Sequence, residues 1–250
     1  MPWITTKNGK RVNTDWFDKD EQIAKNKRQV EEMSGKHDKR IPQAQRKIED
    51  SIHNDEKETT FYLDANGKEL IKVEGDEFSA QYEDTDNAFN RLVEQAIWDG
   101  KDIHVTHNHP AGTIFSPEDI DNLCDNEYKT LSAVLPDGYG IKAYRLIREQ
   151  PVSNDQYVID IKTGTETLRQ NHTSKYPPKY LQVDYYNHYA EVWDGMEATV
   201  TQIENDYKYK KITRAEYLKK VRPYDKKLNE TMSHWLKQNA ADYGFTFIEE

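Results

Sequence analysis

Apolar residues are sparse and widely spaced over residues 1–55, a pattern that predicts a polar N-terminal arm. Short helices are expected in DEQIAKNKRQVEEM and in PQAQRKIEDSI, but each has too few apolar positions to bury a face by itself. We therefore expect the arm to be dispensable for folding. Larger apolar side chains do occur in it, and we expect them to pack onto the neighbouring domain rather than anchor a partner: Trp3, Ile4, Trp16 and Phe17.

Over residues 56–149 the pattern changes to strands that alternate with helices. Two β-rich runs flank a turn at residues 64–67 that contains Asn-Gly, the dipeptide most typical of a hairpin. Apolar residues spaced as on one helix face follow at 88–97, and then the short strand DIHVT. A helix is expected to begin at Ser116, and a second hairpin turns at residues 136–138. This alternation favours an α/β (α+β) fold with a mixed β-sheet flanked by helices.

From residue 150 to residue 250 the pattern predicts a mostly helical C-terminal extension. The stretch VSNDQYVIDIKTGTETL is expected to form a pair of strands, and the turn-rich NHTSKYPPKY to be a linker. Two long helical segments follow at 183–209 and 213–243, and Pro223 is expected to kink or divide the second. Gly244 is placed to end that helix, after which FTFIEE can return as a strand.

Composition narrows the classes of protein that this chain can represent. Only 35% of its 250 residues are apolar and 32% are charged, compared with about 45–50% and about 25% in ordinary globular chains. A net charge of −10 disfavours broad electrostatic binding to nucleic acid or to an anionic membrane. The single cysteine, Cys124, excludes an internal disulfide framework. Since no apolar leader or membrane-spanning run is evident, we expect a cytoplasmic protein.

Candidate chemistry is concentrated between residues 103 and 123, where three of the eight histidines lie. In an extended segment, His107 and His109 leave the same face about 6.6–7 Å apart, so that their rings can converge on one metal ion if the chain bends. Pro110 ends the strand because it has no N–H to donate to the ladder. His104 is expected on the strand face opposite Val105, as an ordinary packed or exposed histidine.

The tetrapeptide Ser116-Pro117-Glu118-Asp119 has two compatible interpretations. Serine at the N-cap, proline in the first helical position and an acid at the third are typical of a helix start that has no other role. Asp119 in that third position can also point back over the helix N-terminus, where a third metal ligand would have to lie. Together, His-x-His-Pro and Ser-x-x-Asp at a strand-to-helix switch favour a metal site.

The run His107-Asn108-His109-Pro110 followed by Ser116-x-x-Asp119 resembles the signature of the JAB/MPN (JAMM) metalloprotease domain. The His-Asn-His-Pro form is most similar to the RadC-like and phage-borne branches of that family. The resemblance covers about residues 56–149 and is carried mainly by the metal motif. It implies the cytidine-deaminase-like arrangement of a mixed sheet and flanking helices that is typical of JAB/MPN domains.

The resemblance also implies a role for each matching residue. His107, His109 and Asp119 would hold Zn²⁺, and Ser116 would help to stabilise the oxyanion. The family has a glutamate on an early strand as general base, and Glu58, at the start of the first predicted strand, supplies it here. Three protein ligands leave one coordination position open, which is typical of a catalytic zinc site.

Two features leave alternatives open. The loop between Pro110 and Ser116 holds the five residues AGTIF, one fewer than in most members of the family. Glu58 is favoured as the base because it alone stands at the start of the first strand with β-rich residues after it. Four neighbouring glutamates could replace it: Glu56, Glu69, Glu74 and Glu77.

The function implied by the resemblance is zinc-dependent hydrolysis of a peptide or isopeptide bond in a protein or peptide substrate. The stretch NAADYGFTF resembles a segment that follows such domains in phage head-associated proteins. It implies a phage or mobile-element origin, a location in the bacterial host cytoplasm or in the virion, and a phage structural protein as partner. The alternative is a non-catalytic JAB/RadC-like scaffold or virion assembly protein. The acidic charge disfavours a third option, a DNA-associated role.

Overall fold

A computed structural model of the chain describes residues 38–76, 90–126, 128–149, 178 and 180–250, and the backbone of four further short strands. The chain divides into two compact units, residues 1–41 and residues 42–250. In the first unit, strands β1 (Trp3–Thr5) and β2 (Arg11–Asn13) pair antiparallel. The expectations for Trp16, Phe17 and the helix DEQIAKNKRQVEEM lie outside the described residues.

The second unit is built around a mixed sheet of six strands. Its spatial order is β10-β7-β6-β5-β3-β4, and β5 with β6 is its one parallel pair. The expected mixed sheet flanked by helices is confirmed. The strands are β3 (Thr59–Leu63), β4 (Glu69–Glu74), β5 (His104–Asn108), β6 (Thr130–Val134), β7 (Ala143–Arg148) and β10 (Phe245–Glu249). The predicted excursion after residue 150 forms a separate antiparallel pair, β8 (Tyr157–Ile159) and β9 (Glu166–Leu168).

Helices flank this sheet and extend the C-terminal part of the chain. None of those that the structure describes is long and apolar enough to cross a membrane. A π-helical turn (Asn90–Glu94) precedes the second α-helix, and a 3-10 turn (Ala240–Tyr243) follows the last. The α-helices are α1 (Gln43–Ile52), α2 (Gln95–Trp98), α3 (Pro117–Asp125), α4 (Tyr180–Asp194), α5 (Glu197–Lys208) and α6 (Arg214–Asn239).

Both predicted hairpins are confirmed, and the first is stabilised by hydrogen bonds within its own turn. In the first, the Asp64 carboxylate accepts hydrogen bonds from the backbone N–H groups of Asn66 and Lys68. Gly67 adopts φ +78°, and a Cβ there would lie 2.8 Å from the Pro42 side chain, so that only glycine fits. The second hairpin joins β6 to β7, with Gly138 at φ +95° in its turn.

The two faces of the sheet differ in chemistry. Alternate residues of the strands, such as Val105, Leu131 and Leu146, belong to the large apolar core that also includes Leu228 and Met232 of α6. We call this side the α6 face. On the opposite side, the α1 face, a smaller apolar cluster joins Phe61 and Leu63 of β3 to Ile52 of α1.

The α1 face also holds a buried ion pair. The Arg145 guanidinium donates to both carboxylate oxygens of Glu49, at 2.6 and 2.7 Å, and its Nε donates to Glu250 at 2.7 Å. The side chains of Arg145 and Glu49 are 2% and 1% exposed, so that neither charge has solvent as an alternative partner. Gln45 and Thr106 donate further hydrogen bonds to Glu49. The pair therefore joins α1 to β7, and the bond from Thr106 joins it to β5.

Two segments that the sequence assigns to extensions are thus parts of the sheet unit. Residues 43–52, expected within the polar arm, form α1, and β10 of the C-terminal segment pairs with β7 along its whole length. The polar composition of α1 conceals its burial, because Gln45 and Glu49 are buried through hydrogen bonds and charge rather than through an apolar stripe. Their partners on the sheet, Thr106, Ser132 and Arg145, lie 57 to 96 residues away in sequence, beyond the reach of any local pattern.

The helical expectations are met in part. The segment 183–209 divides at Gly195 into α4 and α5, whereas α6 continues through Pro223, so that a division at this proline is wrong. The proline removes one helical hydrogen bond, but buried apolar residues on both sides of it keep α6 against the core. Gly244, at φ +83°, ends the helical region as predicted.

The apolar stripe predicted at 88–97 is also only partly realised. Residues 77–89 lie outside the described part of the chain, and the described turn begins in a π conformation. Val93 is fully buried, whereas Leu92 is 46% exposed. The i→i+5 hydrogen bonding of a π turn shifts the phase of the side chains away from the 3.6-residue period on which the stripe was based.

Breaking the buried pair should destabilise the protein strongly. In Glu49→Ala, Arg145 keeps a buried charge without its bidentate partner, and we expect a loss of about 3–5 kcal/mol in the free energy of unfolding. Urea denaturation measures it. Asp50→Ala, on the next residue of the same helix, removes an exposed ion pair with Lys142 and should have a much smaller effect. Equal losses in the two variants would contradict the role given to Glu49.

Truncation at the boundary between the two compact units should leave the second unit folded. A chain that begins at Pro42 retains α1 and the complete sheet, and we expect it to unfold in one cooperative thermal transition. A chain that begins at Ser51 lacks Gln45 and Glu49, and it should melt at a clearly lower temperature or lose the transition. Identical melting of the two truncated chains would show that α1 contributes little to stability.

Candidate metal centre

The two histidines of the motif meet at the end of β5 on the α6 face. His107 is the fourth residue of that strand, and His109 follows its last residue. Because strand side chains alternate, both rings leave the same face, and their Nε2 atoms lie 2.7 Å apart. The residues are only 2% and 7% exposed. Two buried imidazoles this close need a shared proton or a cation between them.

The tautomer of His109 follows from its second ring nitrogen. Nδ1 lies 2.8 Å from the backbone carbonyl of Thr113, which can only accept, so that Nδ1 carries a hydrogen and donates it. When the ring is neutral, as metal binding requires, Nε2 therefore presents its lone pair toward His107 and Asp119. A ring N–H donated to a backbone carbonyl is the usual support of a metal-binding histidine, because it fixes the ring and its tautomer.

Asp119 completes the group from the first turn of α3. Its carboxylate oxygens lie 3.3 Å from His107 Nε2 and 3.5 Å from His109 Nε2. Burial of the Asp119 carboxyl works to raise its pKa, but the charge of His107 and the hydrogen bonds with both rings outweigh burial and hold this pKa well below its usual range. Asp119 is therefore an anion that faces two imidazoles, which suits it to bind a cation.

The same carboxylate also caps its own helix, as the sequence predicted. Asp119 Oδ2 accepts from the Ser116 backbone N–H at 2.7 Å, while Ser116 Oγ accepts from the Asp119 N–H at 3.2 Å. The Ser116 hydroxyl donates to Asp119 Oδ2 at 2.9 Å. Since a hydroxyl has one proton, Ser116 here orients Asp119, and an oxyanion role would require this hydroxyl to turn away from the carboxylate.

Glu58 joins the histidines from the start of β3. Glu58, His107 and His109 each offer one ligand atom, and these three atoms lie within 4.8 Å of one another. The three residues could therefore hold a metal ion. Antiparallel pairing of β3 with β5 sets Thr60 opposite His107, and Glu58, two residues before Thr60, leaves the same face of the chain. The pleat therefore directs Glu58 to the histidine side.

The neighbouring glutamates lie elsewhere. Glu56 is exposed and forms an ion pair with Arg214 at 3.2 Å. Glu69 and Glu74 are exposed on β4, and Glu74 pairs with Lys72. Glu77 lies outside the described residues. Among the glutamates that the structure describes, Glu58 is the one grouped with the two histidines.

The five-residue loop between Pro110 and Ser116 is held by side chains from three other elements. The Tyr139 hydroxyl, in the β6–β7 turn, donates to the Ala111 carbonyl at 2.6 Å. The Asn229 amide, on α6, donates to the Gly112 carbonyl at 2.8 Å and accepts from the Ile114 N–H at 2.7 Å. On α4, the Tyr185 hydroxyl donates to the Phe115 carbonyl at 2.7 Å. The short loop thus has defined partners along its length.

Sequence reasoning missed these loop partners. Asn229 stands more than a hundred residues from the loop, and no spacing rule connects the two. Gly112 carries a weak local signal, because its φ of +88° favours glycine and a Cβ there would lie 2.2 Å from the Tyr139 ring. The loop residues could be read from the sequence, whereas the side chains that hold them could not.

Two other candidate residues take no part in the centre. His104 is buried on the α1 face, where Nδ1 contacts Thr130 Oγ1 at 2.9 Å, and burial lowers its pKa to about 4. Of the two expectations for this histidine, packed or exposed, the structure shows the packed one. Cys124 is buried in α3, and burial raises the pKa of its thiol to about 12, so that it is a core residue rather than a reactive thiolate.

The class of site follows from these donors. Two imidazole nitrogens and nearby carboxylate oxygens are ligands that first-row divalent metals such as Zn²⁺ accept. No family model, curated protein or solved structure matches the chain. The structure thus defines a buried imidazole–carboxylate cluster with the capacity to hold a metal ion.

The stability of the metal-free protein should depend on pH through His109. Burial opposes protonation of the ring, but the hydrogen bond and charge of Asp119, with a smaller contribution from Glu58, raise its pKa to about 9. A group whose pKa is raised from 6.5 stabilises the folded state fully below that pH and loses its contribution as pH rises through about 9. Thermal melts in chelator should therefore show falling stability across this window.

His109→Ala is the control for this dependence. Without the imidazole, the decline over the same window should largely disappear. Zinc should reverse the trend in the wild-type protein, since metal binding requires the neutral ring and is favoured at higher pH. An undiminished decline in His109→Ala would assign the dependence to other groups.

Proposed function

We propose that this chain is a zinc-dependent metallopeptidase of the JAB/JAMM type that hydrolyses a peptide or isopeptide bond. The observation that carries the proposal is the convergence of Glu58 with His107 and His109. Asp119, which contacts both imidazoles, adds a further carboxylate. The resemblance of the His-Asn-His-Pro and Ser-x-x-Asp motifs to that family supplies the class of reaction.

In this proposal, His107 Nε2, His109 Nε2 and one oxygen of Asp119 bind the metal. The donor set fits Zn²⁺, because two imidazoles and one carboxylate are a common catalytic ligand set that leaves a fourth position open. His109 is oriented by the Thr113 carbonyl and Asp119 by Ser116. Such outer partners support the ligand assignment, since they fix the direction of each donor atom.

Glu58 acts as the general acid and base. When bound, Zn²⁺ would supply Lewis acidity, which lowers the pKa of a coordinated water to about 7 and polarises a substrate carbonyl. The Glu58 carboxylate accepts the proton that the attacking water releases. It then returns that proton to the nitrogen of the scissile bond, so that the amine leaves as a neutral group.

The burial of the site supports a second candidate function. His107 and His109 are nearly inaccessible, and the Ser116 hydroxyl is engaged by Asp119. Both features suit a non-catalytic scaffold or assembly protein of the JAB/RadC-like kind, in which the metal only stabilises the fold. Glu58 distinguishes the candidates, because a structural site needs no base beside its ligands.

The substrate and partner belong to the same proposal. A protein or peptide is the substrate class, and a phage structural protein in a bacterial host is the proposed partner, by resemblance of the segment NAADYGFTF. In the structure this segment forms the end of α6, the 3-10 turn and the start of β10. It therefore helps to complete the sheet edge in addition to any role in binding.

Metal analysis tests the ligand assignment. The purified protein should carry about one zinc per chain, and His107→Ala or Asp119→Ala should abolish it because each removes one of three ligands. His234→Ala, at an exposed histidine of α6, is the matched control and should retain the metal. Stoichiometric zinc in both ligand variants would overturn the assignment.

Glu58→Gln tests the reaction itself. The substitution keeps the shape of the side chain and removes its basicity, so that folding and zinc stoichiometry should persist. Hydrolysis of a peptide or isopeptide substrate, found by screening protein and peptide libraries with the wild-type protein, should fall by about 10²–10⁴-fold. If Glu58→Gln instead empties the site, Glu58 is a ligand; if hydrolysis is unchanged, it is not the base.

A further inference from the structure

Asn108, the residue between the two histidines, makes contacts that the proposed reaction does not use. Alternation along β5 turns its side chain to the α1 face, away from the imidazoles, where it is fully buried. Its Oδ1 accepts from the Thr59 backbone N–H at 2.8 Å. Its Nδ2 donates to the backbone carbonyls of Lys57, at 2.9 Å, and Asp55, at 3.3 Å.

The two shorter contacts hold the residues on either side of Glu58 in the sequence. One holds the carbonyl of the preceding residue and the other holds the N–H of the following residue. On the opposite edge, the Glu58 N–H donates to the Asp76 carbonyl at 2.7 Å, and its own carbonyl accepts from the Gly75 N–H at 2.9 Å. The backbone at Glu58 is therefore fixed from both sides.

The Asn108 side chain pairs with β3 beyond the point where the backbone ladder between β3 and β5 ends. The antiparallel pairing of β3 with β5 ends at Thr60 and His107. Beyond that pair, the Thr59 N–H donates to the Asn108 side chain, and Pro110 has no N–H to offer. The Asn108 amide, with one acceptor and two donors, replaces the missing backbone groups and extends the ladder to Glu58.

We propose that Asn108 is a positioning residue that holds Glu58 against His107 and His109. The inference rests on the proposed function of the metal centre. Asn108 acts on Glu58 through the backbone and not through the metal ligands. Its removal should therefore affect the centre only to the extent that Glu58 contributes to it.

A double-mutant cycle with Co²⁺ tests this dependence. Co²⁺ reports its coordination through visible absorption, and its dissociation constant can be measured on the full chain after chelator treatment. Asn108→Ala and Asn108→Leu, which keeps the branching at Cγ but removes the polar groups, are each made in the wild-type and in the Glu58→Gln background. In the wild-type background, each should weaken Co²⁺ binding by about 10-fold while the site can still be filled, because a displaced Glu58 carboxylate no longer places its negative charge beside the cation.

The expected result in the Glu58→Gln background is a further loss of less than about twofold, because the residue that Asn108 positions is already altered. Asn229→Ala is the matched control. It removes another buried asparagine, but one that holds the loop beside His109 rather than Glu58. Its effect on the dissociation constant should be the same in both backgrounds.

Each other outcome has a defined meaning. If the Asn108 variants lose the same factor in both backgrounds, Asn108 does not act through Glu58 and the inference fails while the metal centre stands. Loss of folding in both Asn108 variants would also overturn it, by making Asn108 a determinant of the fold. If the wild-type chain binds neither Co²⁺ nor Zn²⁺, the proposed function itself fails and the inference fails with it.

Discussion

The alternation of side chains at the end of β5 is the constraint on which the candidate centre depends. It sends His107 and His109 to one face of the sheet and Asn108 to the other, where its amide holds the backbone on either side of Glu58. Pairing on both edges, with β6 and with β3, fixes this register. A slip of one residue would exchange the faces and bury the imidazoles against α1.

Both faces of the sheet bury charged groups, but the charges are balanced in different ways. On the α1 face, Arg145 and Glu49 neutralise each other through a bidentate pair, so that the two charges are balanced without a ligand. On the α6 face, two imidazoles and nearby carboxylates converge on one point, and only a proton or a cation can satisfy them together. The first arrangement is typical of a structural anchor and the second of a binding site.

Much of the centre was predictable because its signals are local. The hairpin turns, the capping Ser116 and Asp119, the spacing of the histidines and the end of the helical region at Gly244 all depend on residues within a few positions of one another. The residues that support the centre were not predictable. Asn229 and Tyr185 come from helices that follow the motif by many residues, and their hydrogen bonds to the loop leave no pattern in the sequence.

The sequence by itself determined the order of strands and helices through most of the sheet unit, and it brought the two imidazoles to one face. Only the tertiary structure decided that a polar helix at 43–52 is buried, that α6 continues through Pro223, and that a C-terminal strand completes the sheet. The reason is physical. Periodicity and turn chemistry act over one or two turns of chain, whereas burial of a polar side chain depends on partners that only folding brings near.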